Sequence, residues 1–200
     1  MSVRSVMFDL GGVLVKVEPE RLLEIVPQDD DAQHHVAQLI DNPAWAVPFE
    51  LGRVTPHQFF EQVKQHVPMT CSFERFVEVW NGMLSENAET ITLIERLRER
   101  YTLLVLTNTN VLHDEYMRRT WPRLSRVHHW VASYEVGIRK PDPQIFQLAV
   151  RRTGVSPEAT VYVDDRAEHV AAARQLGLTA IQFTPGLQLE EEFRAIGLHV

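Results

Sequence analysis

The sequence predicts an open α/β fold with a parallel sheet flanked by helices and a small helical block inserted after the first strand. Three observations predict it. Five short apolar runs rich in β-branched residues are spread along the chain, and stretches of helical period lie between or before them. Three of the runs end in polar residues, at Asp9, at Thr107–Asn108 and at Asp164–Asp165. Residues 17–87 carry helical patterns but no convincing buried strand. Strands that alternate with helices imply βαβ units, whose sheet is covered on both faces.

The first strand is expected at residues 3–8, ending at Asp9 and the Gly11–Gly12 turn. The others are expected at 102–106, 130–133, 159–163 and 179–183. In residues 89–100, Ile91, Leu93, Ile94 and Leu97 mark one helical face. Residues 143–153 begin with Asp142 as N-cap and Pro143 in the first turn. Residues 167–176 are alanine-rich and stop at Gly177. Inside the inserted block, helices are expected at 18–25, 31–40, 56–67 and 73–83. Thr55 and Gln58 spell a capping box at the start of the third. The division that follows is a core of residues 1–16 and 88–200, with a helical cap of residues 17–87 over the C-terminal edge of the sheet. Open α/β sheets bind ligands at that edge.

Two hundred residues suit one domain, or one core domain with a smaller insertion. The chain is 44% hydrophobic and 24% charged, enough to bury a core. A net charge of −7 argues against nucleic acid or an anionic membrane as partner. No apolar run approaches membrane-spanning length, and no secretory pattern opens the chain. Cys71 is the single cysteine, which fits a reducing cytoplasm. The adjacent pairs His34–His35 and His128–His129 point in different directions and read as surface or packing residues. The sequence sets no oligomeric state.

Taken singly, the polar strand ends are ordinary. An aspartate after a strand is a common turn residue, Asp164–Asp165 could cap the following helix, and Lys140 before Pro141 could be a solvated loop lysine. Together they converge, because the strand ends of a parallel sheet share one edge. Three carboxylates gathered there need positive charge among them. Mg²⁺ suits hard oxygen ligands, and a lysine, a hydroxyl and an amide can hold a phosphate.

Four motifs in order, "FDLGGVL", "LLVLTN", "GIRKPDPQIF" and "VYVDDRAEHVAAARQLGL", resemble those of the haloacid dehalogenase-like (HAD) hydrolase superfamily. Within it, "FDLGGVLV", "LTNTNVLH" and "GIRKPDPQIF" most resemble the sugar-phosphate phosphatases related to bacterial α-glucose-1-phosphatase, and "FELGRVTPHQFF" is similar in style to that group. The resemblance implies a Rossmann-like core with a helical cap, and a Mg²⁺-dependent phosphatase acting on a small phosphorylated substrate. Asp9 would be the nucleophile that forms an aspartyl-phosphate. Thr107, Asn108, Lys140 and the backbone of Gly11 and Gly12 would hold the phosphoryl oxygens. The metal ligands would be Asp9, the Gly11 carbonyl and Asp165, with Asp164 assisting.

Two departures stand out. Many relatives carry a second aspartate, an acid/base, two residues after the nucleophile, and here that position is Gly11. His169 stands where Asn or Asp is common; a surface role on its helix is the expectation, with a contact behind the metal ligands as the alternative. Gly11 keeps two rivals open: a weak or inactive member that binds a phosphorylated ligand or partner, and a haloacid dehalogenase. The acidic pair argues against the dehalogenase. Glu50, Arg53, Trp45 and Trp80 are the inserted block's candidate leaving-group contacts, with both tryptophans read as packing.

Overall fold

The computed structural model describes residues 2–200, the side chain of Asp41 apart. Strand β1 (Ser5–Phe8) is followed by a tight loop and the short β2 (Val15–Val17). Four helices come next: α1 (Ala32–Asp41), α2 (Pro43–Glu50), α3 (Pro56–Lys64) and α4 (Phe73–Gly82). The short β3 (Leu84–Glu86) returns the chain to α5 (Ala88–Leu97) and β4 (Thr102–Thr107). After these come α6 (Val111–Thr120), β5 (His129–Ala132), α7 (Ser133–Val136), α8 (Pro143–Thr153), β6 (Thr160–Asp164), α9 (Ala167–Gln175), β7 (Thr179–Gln182) and α10 (Leu189–Ala195).

The five expected strands form one sheet in the order β5-β4-β1-β6-β7, with every neighbouring pair parallel. β1 is central and wholly buried, as a strand covered on both faces must be. Its side chains alternate between two cores. Val6 and Phe8 join Ile91, Ile94, Leu97 and Phe193 on one face, whereas Met7 joins Ile145, Phe146, Val170 and Ala173 on the other. In register, Phe8 lies opposite both Val105 and Val163, so the residues that follow these three positions emerge side by side.

The first core runs on into the inserted helices, where Phe49 stacks on Phe59 at 4.2 Å and Phe76 on Trp80 at 5.5 Å. Trp45 and Trp80 are both buried there, so the packing expectation holds. The capping box is present: the Gln58 N–H donates to Thr55 Oγ1 and the Thr55 N–H donates to Gln58 Oε1. Asp142 caps α8 by accepting from the Gln144 N–H.

The block is not helical to its ends. Val15–Val17 pairs antiparallel with Leu84–Glu86 where the chain leaves and re-enters the sheet region. Three-residue strands show no sequence period, and the pairing satisfies two backbone segments that must run side by side. The segment expected as a helix at 18–25 is a 3₁₀ turn, Pro19–Glu24. α2 and α6 carry no clear apolar stripe and arise from context. Asn42 caps the first through the Ala44 N–H, and Asn110 the second through the His113 N–H. Among the described residues no helix is long and apolar enough to cross a membrane.

Three contacts seat the helices on the sheet edge. The Ser133 hydroxyl donates to the Glu50 carbonyl at 2.6 Å. His113 Nε2 lies 3.0 Å from the Trp80 carbonyl, and its ring stacks on Trp80 at 5.1 Å. Gly52, at φ +67°, lies so close to the Tyr134 carbonyl that a Cβ would overlap it.

Candidate active site

Asp9 follows directly on β1, anchored by its N–H to the Val163 carbonyl at 2.9 Å. Its Oδ1 accepts from the Leu10 N–H at 2.6 Å and from Lys140 Nζ at 2.8 Å. The same Nζ lies 2.8 Å from Asp164 Oδ2. Lys140 is buried, so the solvated-loop reading is replaced by a bridge between two carboxylates on adjacent strand ends. A buried ammonium persists only when it is paired in this way.

Asn108 explains how the lysine is held. Its Nδ2 donates to the Lys140 carbonyl at 3.0 Å and its Oδ1 accepts from the Lys140 N–H at 2.8 Å. The Asn108 side chain therefore grips the backbone of the loop that presents Lys140. That grip uses the amide oxygen and one of its two N–H groups, and it does not involve the Asn108 backbone N–H.

Asp164 is saturated. Besides Lys140 it accepts from the Tyr162 hydroxyl and from the Arg166 N–H, and His169 Nδ1 lies 3.1 Å from both of its oxygens. His169 is buried against Asp164, not placed on the helix surface as expected. Its position on α9, whose N-terminus abuts the end of β6, turns the ring inward. Sequence reasoning underrated it because an alanine-rich helix gives little clue to which face is buried.

Thr107 ends β4 and is buried beside this group. Asp165 is exposed and lies over Gly12, where a Cβ would overlap its carboxylate. Gly12 also has φ +75°, so the turn needs glycine on both counts. Gly11 has room around it: the nearest atom to a Cβ there would be Val17 Cγ2 at 3.8 Å.

Burial pushes the Asp9 carboxyl up to about 7, against the lowering pull of Lys140. Burial also acts to raise Asp164, but the His169 hydrogen bond and the Lys140 charge outweigh it and hold that carboxyl well below the usual range. Partial desolvation at the sheet edge and the neighbouring Asp164 charge raise Asp165. The sheet edge thus gathers three carboxylates around one lysine.

A cavity of about 170 Å³ opens beside Gly11, Thr107 and Asn108 and is roofed by the inserted helices. Two titratable residues on its wall had little sequence signal. Glu50, at the end of α2, lies 2.9 Å from Arg139, and burial raises its carboxyl despite that charge. His113, on α6, is buried and its imidazole is lowered to about 4 by desolvation. Arg53, next to Gly52, is absent from the cavity lining.

The family model for haloacid dehalogenase-like hydrolases matches residues 3–177. The chain belongs to the haloacid dehalogenase-like hydrolase family. Among its HAD relatives, a D-ribitol-5-phosphate phosphatase of Bacteroides thetaiotaomicron is 23% identical over 97% of this chain and 98% of its own. A sesquiterpene phosphatase of Aspergillus oryzae is also 23% identical, over 96% of both chains. A HAD-family enzyme of B. thetaiotaomicron, crystallised with magnesium and inorganic phosphate, shares the fold. Its TM-score is 0.83 at 24% identity, covering 96% of this chain and all of its own.

Proposed function

We propose that this HAD hydrolase is a Mg²⁺-dependent phosphatase that cleaves a small phosphate monoester through an aspartyl-phosphate on Asp9. The observation that carries this reading is the Asp9–Lys140–Asp164 bridge, with 2.8 Å on either side, set among Thr107, Asp165 and the Gly11–Gly12 turn on one sheet edge. The phosphatase relatives support the reaction class, and the fold neighbour that holds magnesium and phosphate supports the metal.

The residues present fit such an ion. Asp9, Asp165 and the Gly11 carbonyl are hard oxygen donors, and the local excess of carboxylate over lysine calls for a cation. Bound there, magnesium would supply positive charge to offset that of Asp9 and of the phosphoryl oxygens. The Asp164–His169 contact is the other arrangement of ligand atoms at this edge: Asp9, Asp164 and His169 offer theirs within 4.8 Å of one another. Saturation of Asp164 by Lys140, Tyr162 and Arg166 leaves it better suited to positioning Lys140 than to binding metal directly.

In the first step an Asp9 oxygen attacks phosphorus, the oxygen–phosphorus bond of an acyl phosphate forms, and the bond to the leaving oxygen breaks. Lys140 and the Thr107 hydroxyl hold phosphoryl oxygens. The leaving oxygen takes a proton from Glu50, the one carboxyl on the cavity wall among the described residues, whose burial favours its protonated form. That assignment supplies the proton that Gly11 cannot. Water then cleaves the acyl phosphate, giving up a proton to Glu50 as it attacks, so that phosphate is released and both Asp9 and Glu50 are restored. The inserted helices act as a cap domain that closes over this chemistry.

A sugar phosphate is supported as substrate by the ribitol-5-phosphate phosphatase, whereas the sesquiterpene phosphatase supports an apolar ester. Phosphate release from a broad panel of monoesters, with Mg²⁺ and with chelator, tests the reaction. Turnover that needs both Mg²⁺ and Asp9 is expected. A wild type as inert as Asp9→Asn on every ester, yet still binding phosphorylated ligands, would favour the non-catalytic rival.

A further inference from the structure

We propose that the monoester taken by this site carries an apolar leaving group, aryl or branched alkyl, of about six to eight carbon atoms, a size set by comparison with a cavity of ~150 Å³ that accepts benzene. The inference rests on the phosphatase reading above and specifies its substrate class.

The cavity meets the phosphate edge at Gly11, Thr107 and Asn108, so whatever is esterified to the phosphate enters it. Its walls are mainly hydrocarbon, with Val15, Ile40, Phe49, Phe59, Trp80 and Met117 among them. The polar groups on the wall are mostly spent within the protein. Asn108 holds the Lys140 backbone with both ends of its amide. Asn110 Oδ1 accepts from the His113 N–H and its Nδ2 meets His113 Nδ1 at 3.2 Å, while His113 Nε2 is taken by the Trp80 carbonyl. Glu50 faces Arg139 and holds the proton for the leaving oxygen, Thr107 is given to the phosphoryl group, and among the described residues the Thr109 hydroxyl is the side-chain group left for the substrate.

A polyol of several hydroxyls would lose its water here and recover few partners. Each buried unpaired hydroxyl costs on the order of a tenfold loss in affinity or more, since such groups lose roughly 1–3 kcal/mol. Each methylene placed against the same walls gains about a factor of four, from roughly 0.8 kcal/mol. The balance favours carbon.

Val17 adds an independent observation. It is the large hydrophobic residue left exposed, at 42%, among the described residues, and it stands on β2 at the cavity beside Gly11. An apolar side chain kept at the mouth of an acidic edge is accounted for when it touches an apolar substrate.

The test combines turnover with binding. With Mg²⁺ present, kcat/KM is measured for benzyl phosphate, 3-methylbutyl phosphate, ribitol 5-phosphate and glucose 1-phosphate. The Kd values of benzylphosphonate and methylphosphonate are measured by calorimetry on the same wild-type protein. The expected result is at least tenfold higher kcat/KM for the two apolar esters, and benzylphosphonate binding at least tenfold tighter than methylphosphonate. Val17→Thr, at a half-open position that folding tolerates, should cut the apolar-to-polyol ratio about fivefold, the equivalent of roughly 1 kcal/mol for one buried methyl group. Polyol phosphates matching or exceeding the apolar esters would overturn the inference and leave the phosphatase standing. Equal Kd values for the two phosphonates would overturn it too, whether or not any ester turns over. Inertness toward all four esters with tight benzylphosphonate binding would instead sink the phosphatase reading and keep the cavity's preference.

Discussion

Acidification should loosen the seat between the inserted helices and the sheet edge, through His113. Its imidazole is buried, stacks on Trp80 and meets the Trp80 carbonyl, and it is held at about 4 against an ordinary 6.5. The lowering comes from desolvation, partly offset by the hydrogen bond to that carbonyl. A depressed folded value means that the unfolded chain takes up this proton first. The stability is therefore complete above pH 6.5 and is lost as pH falls toward 4. Each unit between the two values is worth about 1.4 kcal/mol, which gives a loss of about 2 kcal/mol at pH 5 and about 3 kcal/mol at pH 4. Asp9 works in the opposite direction, since its raised carboxyl adds stability as pH falls below about 7. Comparing wild type with His113→Gln cancels Asp9 and every other shared group. Urea unfolding of both proteins from pH 7 to pH 4 is the assay, and the wild-type advantage should shrink by those amounts. A difference that stays flat across this range would refute the reasoning.

Other substitutions probe the site itself. Lys140→Met leaves Asp9 and Asp164 facing each other without their shared cation, and should abolish turnover and cost about 3–5 kcal/mol in urea unfolding unless Mg²⁺ is added. Glu50→Gln should slow hydrolysis of alkyl phosphates by about 10²-fold or more while sparing p-nitrophenyl phosphate, whose leaving group needs no proton; equal losses on both would show that Glu50 only latches the helices. Gly11→Asp should raise turnover of alkyl phosphates and reduce the effect of Glu50→Gln, because the position has an ordinary backbone and open space before Val17. Unchanged turnover would mean that proton transfer does not limit the reaction.

The strands were legible because each is a short buried run of β-branched and apolar residues, and their polar ends follow from the shared edge of a parallel sheet. The convergence of Asp9, Thr107, Lys140 and Asp164 was legible for the same reason. What the sequence hid depends on direction or on partners. The Asn108 amide could face a phosphate or the Lys140 backbone, and only the fold shows that it takes the backbone. His169 could sit on either face of α9, and its ring turns toward Asp164. Glu50 and His113 matter because α2 and α6 meet across the cavity, sixty residues apart in sequence, and no local pattern records that meeting. The pairing of β2 with β3 spans the whole inserted block and is equally silent in the sequence.

The covalent role of Asp9 is tested by trapping the intermediate. The protein would be mixed with Mg²⁺ and p-nitrophenyl phosphate radiolabelled on phosphorus, quenched in acid within the first turnover, digested and mapped. Label is expected on the peptide that contains Asp9, released by hydroxylamine as an acyl phosphate should be, and absent from Asp9→Asn. Undiminished phosphate release by Asp9→Asn, or label carried by another residue, would contradict it.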